Sequence, residues 1–150
     1  MEIEHKYLVS GPYKEMATEV HHIIQGYLSD DPKRTVRIRL RDDEAFLTIK
    51  GASSASGLSR YEWERPIPAD EARQLLTLCL PGTIDKHRHI IIYKGHRWEV
   101  DEFHGHLKGL VLAELEVESE ATTFDLPPFV GTEVTGDKRY YNSQLRKTAL

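Results

Sequence analysis

The sequence predicts an α+β protein: a closed barrel of about eight short β-strands, with helices covering parts of it. Three observations predict it. Apolar and polar residues alternate with period two in seven separate segments, as half-buried strands require. Turn-forming residues such as Ser29-Asp30-Asp31-Pro32, Asp42-Asp43 and Gly105 punctuate those segments. With residues 25–28 added the strands number about eight, in the range where a sheet closes on itself.

In chain order, the first strand covers residues 2–9. Met16, Val20, Ile23 and Ile24 then fall at helical spacing and predict a helix before the strand at 25–28. Strands follow at 34–41 and 45–50. The small residues of 51–59 predict a long mobile loop, and 60–67 the next strand. Pro66 and Pro68 end that strand and open a second helix, positions that tolerate a missing N–H. Ala72, Leu75, Leu76 and Cys79 give that helix its apolar stripe. Strands at 86–93, 97–103 and 111–118 follow, and Tyr141 with Leu145, behind the cap candidate Thr135, marks a last helix.

A chain of 150 residues with 39% hydrophobic and 29% charged residues has a globular composition and is expected to form one domain over residues 1–150. Its net charge of −4 provides no overall basic field to draw it to nucleic acid or anionic lipid, so neither is an expected partner and any polyanion site is local. The longest apolar run, near residues 107–115, is broken by Lys108 and Glu114, and the start Met1-Glu2-Ile3-Glu4 does not read as a secretory leader. The expected compartment is the cytoplasm. Cys79 is the single cysteine, which excludes an internal disulfide or a cysteine-based zinc site and suits core packing.

Residues i, i+2 and i+4 of a strand share a face, so each strand can be asked where its charges lie. Glu2, Glu4 and Lys6 lie together, as do Arg37, Arg39 and Arg41; Glu62 and Glu64; Lys86 and Arg88; Glu99 and Asp101; and Glu114, Glu116 and Glu118. Lys50 shares a face with Thr48. The opposite faces are apolar, with Val36, Ile38 and Leu40, Tyr61 and Trp63, or Trp98 and Val100. A sheet with an ordinary solvated side gives the same alternation. Against that stands the sorting of the charges. Acids come in doublets on some strands and Lys or Arg in doublets on others, and adjacent like charges repel unless something neutralises them. With the apolar faces packed outward, the ionic faces point into the barrel.

Clustered carboxylates suit a hard cation such as Mg²⁺ or Mn²⁺. Clustered Lys and Arg suit phosphate oxygens. Together they describe a site for a metal ion and a short polyphosphate.

These residues resemble the CYTH proteins, also called triphosphate tunnel metalloenzymes. Glu2-Ile3-Glu4-His5-Lys6 is similar to the E-x-E-x-K signature of that family. The match continues in order through Gln25-Gly26-Tyr27-Leu28, Arg37-Ile38-Arg39, Thr48-Ile49-Lys50, Tyr61-Glu62-Trp63-Glu64, Lys86-His87-Arg88, Trp98-Glu99-Val100-Asp101, Ala113-Glu114-Leu115-Glu116 and the run from Glu133 to Asn142. It covers nearly the whole chain.

The resemblance implies an eight-stranded antiparallel tunnel, often a homodimer, that hydrolyses or cyclises triphosphates with Mg²⁺ or Mn²⁺. It implies metal binding by Glu2, Glu4, Glu114 and Glu116, with Asp101 completing the acidic set, and phosphate binding by Lys6, Arg37, Arg39, Lys50, Lys86 and Arg88. Lys6, Arg39, Lys86, Glu62 and Glu64 are expected to serve the reaction itself. Arg139 is expected to cap the tunnel and touch substrate, with a surface role as its alternative. The foremost substrate is inorganic triphosphate, cleaved to phosphate and pyrophosphate. Thiamine triphosphatase, a class IV type adenylate cyclase and a non-catalytic polyphosphate-binding module are the alternatives. His87, His89, His104 and His106 alternate as a ligand pair would, but the resemblance gives them no metal role. Trp63 and Trp98 are expected to pack on the outward face, and Glu118 lies toward a strand end.

Overall fold

The computed structural model describes residues 1–148. Its strands are β1 (Glu2–Val9), β2 (Glu19–Ser29), β3 (Arg34–Arg41), β4 (Glu44–Ser53), β5 (Ser59–Ile67), β6 (Ile84–Tyr93), β7 (His96–Phe103), β8 (Val111–Glu116) and β9 (Val130–Glu133). They lie in the antiparallel order β5-β4-β3-β2-β6-β7-β8-β1. Pairing of Glu2 with Arg60 and Ile3 with Ser59 joins β1 back to β5 and closes an eight-stranded barrel. β9, outside the expected eight, runs beside the second half of β1. The helices are α1 (Ala69–Leu76) and the single-turn α2 (Asn142–Leu145). No helix among the described residues is long and apolar enough to cross a membrane.

Two expectations are corrected. Val20, Ile23 and Ile24 belong to the eleven-residue strand β2, preceded by a 3-10 turn at Lys14–Met16, and not to a helix. Ile23 faces Arg41 of β3 on one side and Lys86 of β6 on the other. Ladders on both edges, with β-branched side chains that favour extended backbone, outweigh the coincidental 3-4 spacing. Nor are residues 51–59 a long loop. The turn between β4 and β5 is tied by the Gly57 N–H to the Ser54 carbonyl at 3.0 Å and the Ser59 N–H to Ser54 Oγ at 3.2 Å. Gly57 has φ of +78 and packs so tightly that an added Cβ would fall 2.3 Å from the Gly136 Cα. Both features require glycine.

Among the described residues, three apolar clusters hold the barrel. Tyr7, Ile91, Trp98, Val100 and Leu115 pack outside it with Tyr13 and Phe129, and Trp98 is fully buried there. Ala72 of α1 covers Ile38 and Ala45 on another outer face. Beside it, Gly26 of β2 passes so close that a Cβ would lie 2.8 Å from the Cys79 Cβ. Ile84, Phe103 and Leu112 join Leu107 and Leu145 in the third cluster. Those three share strand faces with Lys86, Asp101 and Glu114, so this cluster closes one end of the barrel from within. Burying each such side chain is worth about 1.5–3 kcal/mol.

Candidate active site in the barrel lumen

Alternation turns the charged face of each barrel strand inward. Glu2, Glu4 and Lys6 of β1, Arg37 and Arg39 of β3, Lys50 of β4, Arg88 of β6 and Glu114 of β8 line one cavity that opens to solvent. Arg60 of β5 makes six cationic side chains against three glutamates. A surplus of confined positive charge selects a polyanion.

β1 and β8 form the acidic wall. In their register Glu4 stands opposite Glu116, and Lys6 opposite Glu114. Lys6 Nζ lies 3.7 Å from Glu114 Oε1 and donates to the Tyr140 carbonyl at 3.0 Å. Burial alone would raise the Glu114 carboxyl, but Lys6, Arg88 and Lys86 outweigh it and hold it at about 2. Burial likewise opposes ionisation of Glu2, and Lys50 at 2.8 Å prevails, holding it below the usual carboxylate range. Glu4 differs. It makes no ion pair among the described residues, and burial, then Glu114 and Glu2, push its carboxyl well up. Glu116, more exposed, is pushed up by burial and by Glu2, Glu62 and Glu99.

The basic wall is ordered by one buried carboxylate. Arg88 forks onto Asp101, Nε to Oδ1 at 2.8 Å and Nη2 to Oδ2 at 2.9 Å, while Nη1 reaches Glu99 at 3.3 Å. Lys86 Nζ lies 2.7 Å from the same Oδ2, and both groups are fully buried. Burial would raise Asp101, yet Arg88 and Lys86 hold it far below the carboxylate range. Burial pulls the Lys86 ammonium down to about 7, against the attraction of Asp101. Arg37 donates to Thr48 Oγ1 at 3.1 Å and lies 3.5 Å from Glu64. Arg39 Nε donates to Gln25 Oε1 at 2.9 Å, and among the described residues it has no carboxylate partner. Burial, with Arg37 and Arg88 beside it, pulls its guanidinium down to about 9. An anion is what such a group needs.

The expected site residues do not all converge. Glu62, 3.4 Å from Lys50, and Glu64, which accepts from Thr48 Oγ1 at 2.6 Å, lie outside the cavity lining with Glu116. Lys86 and Asp101 stand behind that lining. Asp101, grouped with the metal ligands from the sequence, instead spends both oxygens on Arg88 and Lys86 and acts as their counter-ion. Arg139 stays outside the lumen, its side chain 81% exposed and paired with Asp137. His87 Nδ1 lies 2.7 Å from His104 Nε2, with His22 stacked on His87, away from the cavity lining.

Arg60, Tyr27, Thr35 and Asn142, to which the sequence assigns no site role, also line the cavity. Arg60 shares its face with Glu62 and Glu64, so the same parity argument reaches it; its Nε donates to the Gly51 carbonyl at 3.1 Å, and its guanidinium covers the Tyr141 ring at 5.2 Å. Asn142 arrives from α2; the motif run from Glu133 ends on it, but strand parity assigns it no face.

Donor chemistry decides whether these residues fit a divalent ion. Among the described residues no three carboxylate, imidazole or thiol groups already converge at ligating distance. The fit rests on Glu4 and Glu116, which face each other across a strand pair. Both carboxyls are raised. Opposed carboxylates repel without a cation, and an all-oxygen donor set suits Mg²⁺ or Mn²⁺.

Comparison with known proteins follows the same line. The CYTH domain profile matches residues 1–148. An inorganic triphosphatase from Acetivibrio thermocellus is 46% identical over 148 residues, 97% of this chain and 93% of that protein. One from Nitrosomonas europaea is 38% identical over 149 residues, 96% of this chain and 95% of that protein. The crystal structure of an inorganic triphosphatase superposes with a TM-score of 0.71 at 33% identity, covering 99% of this chain and 95% of the other. With the profile spanning all but the last residues and the charged strand faces turned into a closed barrel, the chain belongs to the CYTH family.

Proposed function

We propose that residues 1–150 act as one triphosphate tunnel domain that hydrolyses inorganic triphosphate to phosphate and pyrophosphate in the cytoplasm, with Mg²⁺ or Mn²⁺. The observation that carries the reading is the incomplete pairing inside the lumen. Arg39 faces the cavity without a carboxylate partner and Glu4 faces it without a cationic one, among the described residues. A polyanion with a divalent ion completes both. Relatives named inorganic triphosphatases at 46% and 38% identity support the choice of substrate.

In this reading Arg37, Arg39 and Arg88 grip the phosphate oxygens, and Lys6 and Lys50 flank the chain. Glu4 and Glu116, with Glu2 and Glu114 beside them, would hold the ion. When bound, the ion neutralises phosphate charge and polarises water. Water adds its oxygen to the terminal phosphorus as the bridging P–O bond breaks and pyrophosphate leaves. Glu62 is suited to take the water's proton, because burial and the neighbouring Glu2 carboxylate raise its carboxyl. Of the aromatic rings that line the cavity, Tyr141 is already covered by Arg60, which offers a nucleobase little to stack on.

The test is a panel of inorganic triphosphate, thiamine triphosphate, ATP and pyrophosphate with Mg²⁺ or Mn²⁺, resolving phosphate from cyclic nucleotide. Fastest phosphate release from inorganic triphosphate is expected. Equal or faster turnover of ATP, or a cyclic product, would overturn the assignment.

A further inference from the structure

The cations of the basic wall are linked by a chain of hydrogen bonds that ends on α2. Arg39 Nε donates to Gln25 Oε1 at 2.9 Å. Gln25 Nε2 donates to Asn142 Oδ1 at 2.9 Å, and Lys86 Nζ donates to the same oxygen at 2.9 Å. Lys86 also lies 2.7 Å from Asp101, which forks onto Arg88. Arg39 fixes the direction of the chain, because a guanidinium can only donate. Gln25 must offer its oxygen to Arg39 and its N–H to Asn142, and Asn142 must accept through Oδ1. Gln25 and Lys86 are fully buried, so in the intact protein Asn142 is the acceptor that holds both donors in place. Leu145, on the same helical turn, is anchored in the cluster that closes the barrel end.

We propose that Asn142 is a positioning residue that orients Arg39 through Gln25, and Arg88 through Lys86 and Asp101, to hold the triphosphate. The assignment rests on the reading of the lumen as a triphosphate site. Without the Asn142 acceptor the Gln25 amide loses its reason to keep its oxygen toward Arg39, and Arg39 loses the hydrogen bond it donates to that oxygen. A small misplacement of a group that holds substrate costs up to about a hundredfold in rate.

The experiment compares wild type with Asn142→Ala, Gln25→Ala, their combination, and Asn142→Asp, which keeps an acceptor oxygen. Steady-state kinetics with inorganic triphosphate is one arm. The other is hydrogen exchange of the Arg39 Nε–H by NMR in ¹⁵N-arginine-labelled protein, a readout that needs no substrate. Asn142→Ala and Gln25→Ala should each raise KM about tenfold or more, with the double variant little worse than either, since both act through one chain. Arg39 Nε–H should be protected in wild type and Asn142→Asp and exposed in Asn142→Ala. Unchanged protection in Asn142→Ala, lost protection in Asn142→Asp, or KM effects that multiply would overturn the proposal. If the protection changes as expected while wild type leaves triphosphate intact, the functional reading fails and the hydrogen-bonded chain stands. Should Asn142→Ala not fold, Asn142→Leu, which keeps the volume and removes the acceptor, carries both readouts, and unchanged Arg39 Nε–H protection in it would overturn the proposal.

Discussion

Asp101→Asn probes the buried ionic triad behind the basic wall. The carboxylate is fully buried, with Arg88 at 2.8 and 2.9 Å and Lys86 at 2.7 Å. The amide keeps the shape, removes the charge and leaves one acceptor oxygen where there were two. Breaking a buried pair from one side costs about 3–5 kcal/mol. Lys86 softens the loss: pulled down to about 7 even beside Asp101, it can give up its proton when that partner is gone. The lower end, about 3 kcal/mol, is therefore expected. At about 2–4 °C per kcal/mol for a chain of this size, Tm falls by about 6–12 °C. Acidification gives an independent check. Folded Asp101 ionises far below the usual carboxylate range, so its stabilisation is complete above about pH 4 and is lost as pH falls further. Urea unfolding at several pH values should show a wide gap between wild type and variant at pH 7 that narrows toward pH 3. A gap under about 1 kcal/mol at pH 7, or one that does not narrow in acid, would refute the counter-ion role.

Glu4→Gln should raise the melting temperature of the unliganded protein. Its raised carboxyl means that the charge opposes folding where Glu4 is ionised, so wild type should also gain stability as pH falls through that raised pKa toward the ordinary carboxylate range. The same variant should lose most of the stabilisation by Mn²⁺ plus triphosphate, about 2.7 kcal/mol at a hundredfold excess over Kd; retention of that shift removes Glu4 from the ion site. Arg39→Ala should raise KM for triphosphate more than it raises the Mn²⁺ requirement, and an effect confined to the metal titration reverses the assignment. Gly26→Ala should cost about 1–3 kcal/mol through overpacking, because the new Cβ meets Cys79 at 2.8 Å; an unchanged urea midpoint would show that α1 yields freely.

The barrel was legible because strand parity is rigid: a residue two places on must face the same way, so Arg37 and Arg39, or Glu2 and Glu4, announce a shared face without knowledge of any partner strand. The first part of β2 was not legible, since Met16, Val20, Ile23 and Ile24 satisfy helical spacing by coincidence and only the ladders to β3 and β6 decide against it. Parity places a side chain on a face but does not say how deep it sits. Lys86 and Arg88 share one, yet Arg88 lines the cavity while Lys86 is sealed behind it by Asn142 and Asp101. Nor does parity reveal partners. Glu114 looked like a repelled acid from the sequence, and Lys6 across the register makes it a well-paired one. Asn142 reaches Gln25 across 117 positions, a distance over which local pattern carries no information.

The central claim is that the ion and the triphosphate sit inside the barrel, between its two charged walls. A crystal structure with Mn²⁺ and inorganic triphosphate, collected where manganese scatters anomalously, tests it most directly. The account predicts a manganese peak against Glu4 and Glu116, with phosphate oxygens on Arg37, Arg39 and Arg88. A manganese peak at the outer histidines His22, His87 and His104, or triphosphate bound outside the lumen, would contradict it.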